Sequence, residues 1–196
     1  MVQALRRGLA GRRRAALARP ERAAVLVPVI DDGGPPRLLM IRRTTGVPTH
    51  QGQVAFPGGF VNPGEGDPVQ TALREAEEEV GLPRAAVEVL GLLDDVPTRS
   101  DAVAVTPVVG RVASLPPLRP QPEEVARIFT IPLSELVRPE CWTSRTETLA
   151  GRERLIHSLV YDRETLWGLS ARIVLALLAL GPGGSPVPLS AASPSR

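Results

Sequence analysis

The strongest constraint on how this chain can fold is one run, residues 56–82, which reads FPGGFVNPGEGDPVQTALREAEEEVGL. Its second half predicts an amphipathic helix over Asp67–Val80. At about 100° per residue, Val69, Ala72, Leu73, Ala76 and Val80 fall on one stripe that can face a core. Gly81 stands where a helix C-terminal glycine belongs. Glu75, Glu78 and Glu79, at i, i+3 and i+4, converge on a flank of that stripe. Like charges at this spacing repel by roughly 0.2–0.5 kcal/mol per exposed pair, so helix stability does not account for them. A bound divalent cation reverses the sign of that interaction, and oxygen-only ligands suit Mg2+ or Mn2+. An acidic run taken alone is usually a solvated face. Here the flanks change the balance. Pro57-Gly58-Gly59 supplies a sharp turn whose backbone can come close to a ligand, and Arg74 can hold a neighbouring glutamate by a charge-assisted hydrogen bond.

Around this run, periodicity and turn residues predict strands at Ala23–Ile30, Arg37–Arg43 and Val54–Phe56, with a turn at Asp31–Pro36. Further strands are expected at Val87–Leu93, Ala102–Val112 and Val125–Ile131, then a short helix near Pro132. Two more strands at Trp142–Thr148 and Arg154–Tyr161 precede a closing helix over Glu164–Leu180. Helices and strands interleave without a strict βαβ rhythm, which favours an α/β sandwich with a mixed sheet. Residues 1–22 are expected to form a basic helix packed on the domain, with Leu5, Leu9, Ala16 and Leu17 at near-helical spacing. An organelle-targeting peptide is the alternative reading of that arginine-rich stretch. Residues 23–182 form the main domain, and the Pro- and Ser-rich residues 183–196 are expected to be a disordered tail.

Composition excludes several chemistries. The chain has 196 residues, the size of one ordinary domain. It contains no lysine, so all 23 basic side chains are arginines. That rules out a lysine-bearing phosphate loop and a lysine Schiff base. A net charge of +2 is too small to make nucleic acid the default partner. A lone Cys141 precludes an internal disulfide and fits a reducing, cytoplasmic setting. No apolar run approaches the roughly 20 residues of a membrane span.

With Gly59 and Glu65 followed by Arg74, Glu75, Ala76, Glu78, Glu79, Gly81 and Leu82, the sequence resembles the Nudix hydrolases. Their signature is Gly, five residues, Glu, seven residues, then Arg-Glu-aliphatic-any-Glu-Glu-any-Gly-aliphatic. Eight residues, 66–73, separate Glu65 from Arg74 here. Within the family the chain is similar to the coenzyme A pyrophosphatase subgroup. It carries Leu38-Leu39, Arg42 and Gly52-Gln53-Val54-Ala55-Phe56-Pro57-Gly58-Gly59, the Thr106–Gly110 run, and Leu166–Leu169 with Ser170-Ala171-Arg172. Arg43 stands where that subgroup has a small residue, and Val47-Pro48 replaces an expected arginine.

The resemblance implies a Nudix-type α/β/α sandwich and water attack on a phosphorus of a P–O–P bridge, with Mg2+ or Mn2+ as cofactor. It implies metal ligation by Glu75, Glu78, Glu79 and the Gly59 carbonyl, with Glu75, Glu78 and Arg74 as the catalytic set. The general base is one of the helix glutamates or a carboxylate outside it, with Glu65, Glu123 and Glu124 as additional candidates. Arg42, Arg43, His50, Phe56 and Gly58 are candidates for contact with a small nucleotide substrate of the coenzyme A class. Arg42, Arg43 and Arg99 suit its 3′-phosphate through bidentate contacts. A structural role is the expectation for His157, Cys141 and Trp167. Rival readings are a hydrolase of ADP-ribose, NADH or an oxidised nucleoside triphosphate, and a non-catalytic nucleotide-binding module. The latter usually lacks one of the helix glutamates, and none is missing here.

Overall fold

A computed structural model describes residues 1–46, 51–149 and 152–187. Two sheets and four helices are found among them. The chain opens with α1 (Val2–Leu9), β1 (Glu21–Ile30), β2 (Arg37–Arg43), β3 (Val54–Ala55), β4 (Gly58–Phe60) and α2 (Pro68–Val80). It continues with β5 (Glu88–Leu92), β6 (Val96–Pro97), β7 (Val103–Val112), β8 (Val125–Pro132) and α3 (Leu133–Leu136). It closes with β9 (Trp142–Leu149), β10 (Arg152–Tyr161), β11 (Glu164–Trp167) and α4 (Gly168–Leu178).

The larger sheet runs β3-β2-β1-β7-β5, with β4 added to β1, β6 to β7 and β8 to β2. β1 and β7 pair in parallel from Glu21↔Val103 to Ile30↔Val112, while the other pairings are antiparallel. The sheet is therefore mixed. Such central strands are covered on both faces, which is why β1 reads as a nearly unbroken apolar run. Ala24, Leu26, Ile30, Leu39, Ile41 and Val108 pack under Ala72, Ala76 and Val80 of α2. On the opposite face, Val27, Val29, Leu38 and Met40 share a core with α1, α4 and the smaller sheet β11-β10-β9. The result is an α/β/α sandwich.

Helix α2 is bounded by its own sequence. Asp67 at the N-cap accepts from the Val69 N–H at 2.9 Å, and Pro68 fills a first-turn position that needs no donor. Gly81 ends the helix at φ 68°, and the N–H groups of Gly81 and Leu82 return to the carbonyls of Glu77 and Ala76.

Three expectations are corrected. The closing helix starts at Gly168, not at Glu164. Residues 164–167 form β11, with Glu164 and Leu166 buried and Thr165 exposed, paired to β10 through the turn Asp162-Arg163. Both turn residues have positive φ (49° and 65°), the geometry of a tight hairpin, without the Asn-Gly signal that usually announces one. The predicted strand Val54–Phe56 stops at Ala55, and Gly58 and Gly59 of the expected Pro57-Gly58-Gly59 turn belong instead to a strand, Gly58–Phe60, on β1. At the N-terminus, Leu5 and Leu9 are buried as expected, but α1 ends at Leu9, and Ala16 and Leu17 lie in a segment without helix or strand. That segment is tied down by charge. Arg12 pairs with Asp94, Arg14 with Asp95 (3.3 Å) and Arg19 with Asp101 (2.9 Å). Of the expected disordered tail, residues 188–196 lie outside the described residues. No helix among the described residues is long and apolar enough to cross a membrane.

Candidate active site

The site is built where α2 crosses the start of β1 and the edge strand β4. In the β1–β4 ladder, Leu26 N–H donates to Pro57, and Gly58 faces Val25. The alternation of an antiparallel pair then turns the Gly58 N–H off the ladder. Glu79 Oε2 accepts it at 3.0 Å. One residue on, Gly59 presents its Cα to α2 so closely that an added Cβ would lie 2.6 Å from Glu75 Cδ. The two glycines thus seat two glutamates of one helix flank against one strand.

Arg74 organises the other flank. Its Nε donates to Glu65 Oε1 at 2.8 Å, and its Nη1 lies 2.8 Å from Glu75 Oε1 and 2.9 Å from Glu78 Oε2. Its Nη2 donates to the Phe60 carbonyl at 3.3 Å. Glu65 also accepts from Thr71 Oγ1 (2.7 Å) and the Asn62 N–H (2.9 Å). Arg74 and these neutral donors hold its carboxyl down at about 2. Glu65 is therefore saturated with donors and serves to position Arg74. The fully buried Thr71 was not singled out in the sequence, because nothing but its helical position marks it.

Burial acts the other way on the seated glutamates. Glu79 is 3% exposed, and desolvation pushes its carboxyl up to about 7 despite the Gly58 donor and Arg43. Burial also raises the Glu75 carboxyl, against the pull of Arg74. Glu124 contributes to both upward shifts, so it lies within electrostatic reach of the pair from outside the helix. Glu123 is held by its own loop. Its backbone is tied to Gln121 and Thr44, and its side chain lies beside the Gln121 amide at 3.5 Å.

Five carboxylates (Glu65, Glu75, Glu78, Glu79 and Glu124) thus face two guanidiniums, Arg74 and Arg43. This excess of negative charge, from hard oxygen donors alone, fits a divalent cation of the Mg2+ or Mn2+ kind. In the present side-chain arrangement, no three acidic, His or Cys groups among the described residues close on one point. The Arg74 guanidinium stands between Glu75 and Glu78.

Other predicted contacts fall elsewhere. Phe56 is buried in the core on the face opposite α2, so its ring has no surface to offer a substrate. Arg42, half exposed, lies 3.5 Å from the buried Glu164 of β11. His50 lies outside the described residues. Arg99 is exposed in the loop between β6 and β7.

The raised Glu79 carboxyl has a testable sign. Without metal, the folded state holds this proton between about pH 4.5, the ordinary value, and about 7, while the unfolded chain has released it. Its contribution to stability is complete below pH 4.5 and is lost as pH rises through 7. The loss is on the order of a few kcal/mol. Glu65 has the opposite sign, but its contribution is lost only as pH falls below the ordinary range toward 2. Thermal melts in chelator should therefore show the midpoint falling from about pH 4.5 to about 7 and levelling off above it, and Glu79→Gln should flatten that fall. A variant with an unchanged slope would remove Glu79 as its source.

Residues 20–150 match the model of the NUDIX domain, and the chain belongs to the Nudix hydrolase family. Among its relatives, the uncharacterized Nudix hydrolase NudL of Photorhabdus laumondii is 40% identical over 152 residues, covering 78% of this chain and 80% of that protein. The protein of the same name from Yersinia pestis is 41% identical over 153 residues, covering 78% and 76%. The fold is shared with a MutT/Nudix family protein from Enterococcus faecalis, at a TM-score of 0.51 and 17% identity over 82% of this chain and 56% of that one. The protein is accordingly a Nudix hydrolase acting on a small nucleotide derivative with a pyrophosphate link. Enzymes of this family generally work with divalent metal ions such as Mg2+ or Mn2+.

Proposed function

We propose that this hydrolase cleaves the pyrophosphate bond of coenzyme A, and of acyl-coenzyme A, to 3′,5′-ADP and the 4′-phosphopantetheine moiety. The observation that carries the substrate is the upstream run Leu38-Leu39, Arg42 and Gly52–Gly59, which leads directly into the two glycines that seat Glu75 and Glu79. Leu38 and Leu39 are fully buried and fix β2 on both faces. Arg43 closes that strand beside the site, and its guanidinium is suited to a phosphate monoester by charge and bidentate geometry.

Glu75, Glu78, Glu79 and the Gly59 carbonyl would hold the metal. When bound, it neutralises phosphate oxygens and lowers the pKa of water. The protein's own work is positional. Gly58 fixes Glu79, Arg74 orients Glu75 and Glu78, and Glu65 with Thr71 holds Arg74. We assign the proton of the attacking water to Glu124, since its carboxylate faces Glu79 across the Arg43 guanidinium from outside the helix. The water oxygen bonds to phosphorus, the bridging oxygen leaves with one phosphate, and the released proton is taken up by that carboxylate.

A panel of coenzyme A, acetyl-coenzyme A, ADP-ribose, NADH and 8-oxo-dGTP with Mg2+ or Mn2+, products identified by mass, tests the reading. The expected result is release of 3′,5′-ADP from coenzyme A well ahead of the other cleavages. Preference for another substrate would overturn the coenzyme A reading and keep the hydrolase, as the departures at Arg43 and Val47-Pro48 would then explain.

A further inference from the structure

Arg43 enters the site from the end of β2, and its backbone surroundings are fixed. Its N–H donates to Gln53 at 3.0 Å, and Thr44 binds the Glu124 carbonyl through N–H (2.9 Å) and the Glu123 carbonyl through Oγ1 (2.7 Å). Its guanidinium is shared rather than committed. Nη1 lies 3.4 Å from Glu79 Oε1 and Nη2 4.0 Å from Glu124 Oε2. Both are longer than the roughly 2.7–2.9 Å of a closed charge-assisted bond. Its Nε is buried and has no hydrogen-bond partner among the described residues. A well-anchored stem therefore carries a charge between two carboxylates, with one donor still unsatisfied.

We propose that Arg43 is a built-in counter-ion, a positioning residue that neutralises Glu79 and Glu124 until a divalent cation takes Glu79, whereupon its guanidinium turns to a phosphate oxygen of the substrate. This rests on the assignment of Glu79 to the metal made above. A guanidinium and a metal ion compete for the same oxygens and repel one another, so Arg43 holds down metal affinity in the absence of substrate. A substrate phosphate that takes up the displaced guanidinium relieves the competition. Metal and substrate then favour each other's binding through this side chain.

The test is Mn2+ affinity without substrate, read from the electron paramagnetic resonance of the free ion in alkaline buffer. Wild type is compared with Arg43→Ala, Arg43→Gln, Arg43→Lys and Glu79→Gln, each checked for fold by circular dichroism. Arg43→Ala and Arg43→Gln should bind Mn2+ about tenfold or more tightly than wild type, as removal of a nearby positive charge requires. They should also raise KM more than they lower kcat, and Arg43→Lys should return Mn2+ affinity toward wild type. Unchanged or weaker Mn2+ binding by the folded Ala and Gln variants, with Glu79→Gln weakened, overturns the counter-ion role and leaves the metal assignment standing. Wild-type Mn2+ affinity in Glu79→Gln overturns both.

Discussion

Glu78→Gln should lower turnover by at least about a hundredfold, the upper range for losing even an indirect partner of a metal ligand, while the fold stays intact. The substitution keeps size and polarity but removes the charge that would face the cation. Glu78 is also the least constrained of the three helix glutamates. Its side chain is 58% exposed and is paired at 2.9 Å with Arg74, one helical turn away. Exposed pairs of this kind contribute about 0.3–0.5 kcal/mol, and surface substitutions generally stay within about ±0.5 kcal/mol. Arg74 keeps Glu65 and Glu75, so the rest of the network is undisturbed. Turnover measured beside a thermal melt checks this. A variant with wild-type turnover would remove Glu78 from the metal set, and one that melts far below wild type would show that the glutamate serves the fold.

The adjacent glycines should separate structure from chemistry. A Cβ on Gly58 would lie 2.6 Å from the Val25 Cα, against backbone that cannot yield without opening the β1–β4 ladder. Gly58→Ala is therefore expected to destabilise by about 1–3 kcal/mol, the usual cost of forcing a methyl into packed structure. The nearest atoms a Cβ on Gly59 would meet are all at the far end of the Glu75 side chain, which can swing away. Gly59→Ala should leave the melting midpoint nearly unchanged yet lower turnover by about 10²-fold, because a ligand displaced by about 1 Å no longer meets the geometry of the reaction. Denaturant titration and turnover on both variants check the contrast. Equal loss of stability in the two would mean that Glu75 is locked in place by contacts other than those with Gly59.

The reason α2 was legible in the sequence is that every signal agreed: the apolar stripe, Asp67 and Pro68 at one end, Gly81 at the other. The spacing of Glu75, Glu78 and Glu79 was equally local, since a helix converts sequence interval directly into position. Strand β11 was not legible, because its four residues join smoothly to a helical pattern and its hairpin turn uses Asp162-Arg163. Within the site, the distinction between Glu123 and Glu124 depends on a loop pinned by Gln121 and Thr44, a contact between segments 79 residues apart. The burial of Phe56 likewise comes from a core shared with α4 and the smaller sheet, which begins only at Trp142, far downstream in the chain.

The long parallel ladder has a kinetic consequence. β1 meets β7 only after the chain has closed a loop that brings Glu21 to Val103, and the contacts of Arg6 with Glu88, Arg12 with Asp94 and Arg19 with Asp101 span the same 82 residues. Both glycines and all three helix glutamates lie inside that loop. Closing it is a late and slow event, since non-local parallel pairing returns no energy until the entropy of closure has been met. Refolding followed by far-ultraviolet dichroism should thus run ahead of the recovery of activity, with elevated salt slowing the second phase by screening the arginine pairs that staple the loop shut.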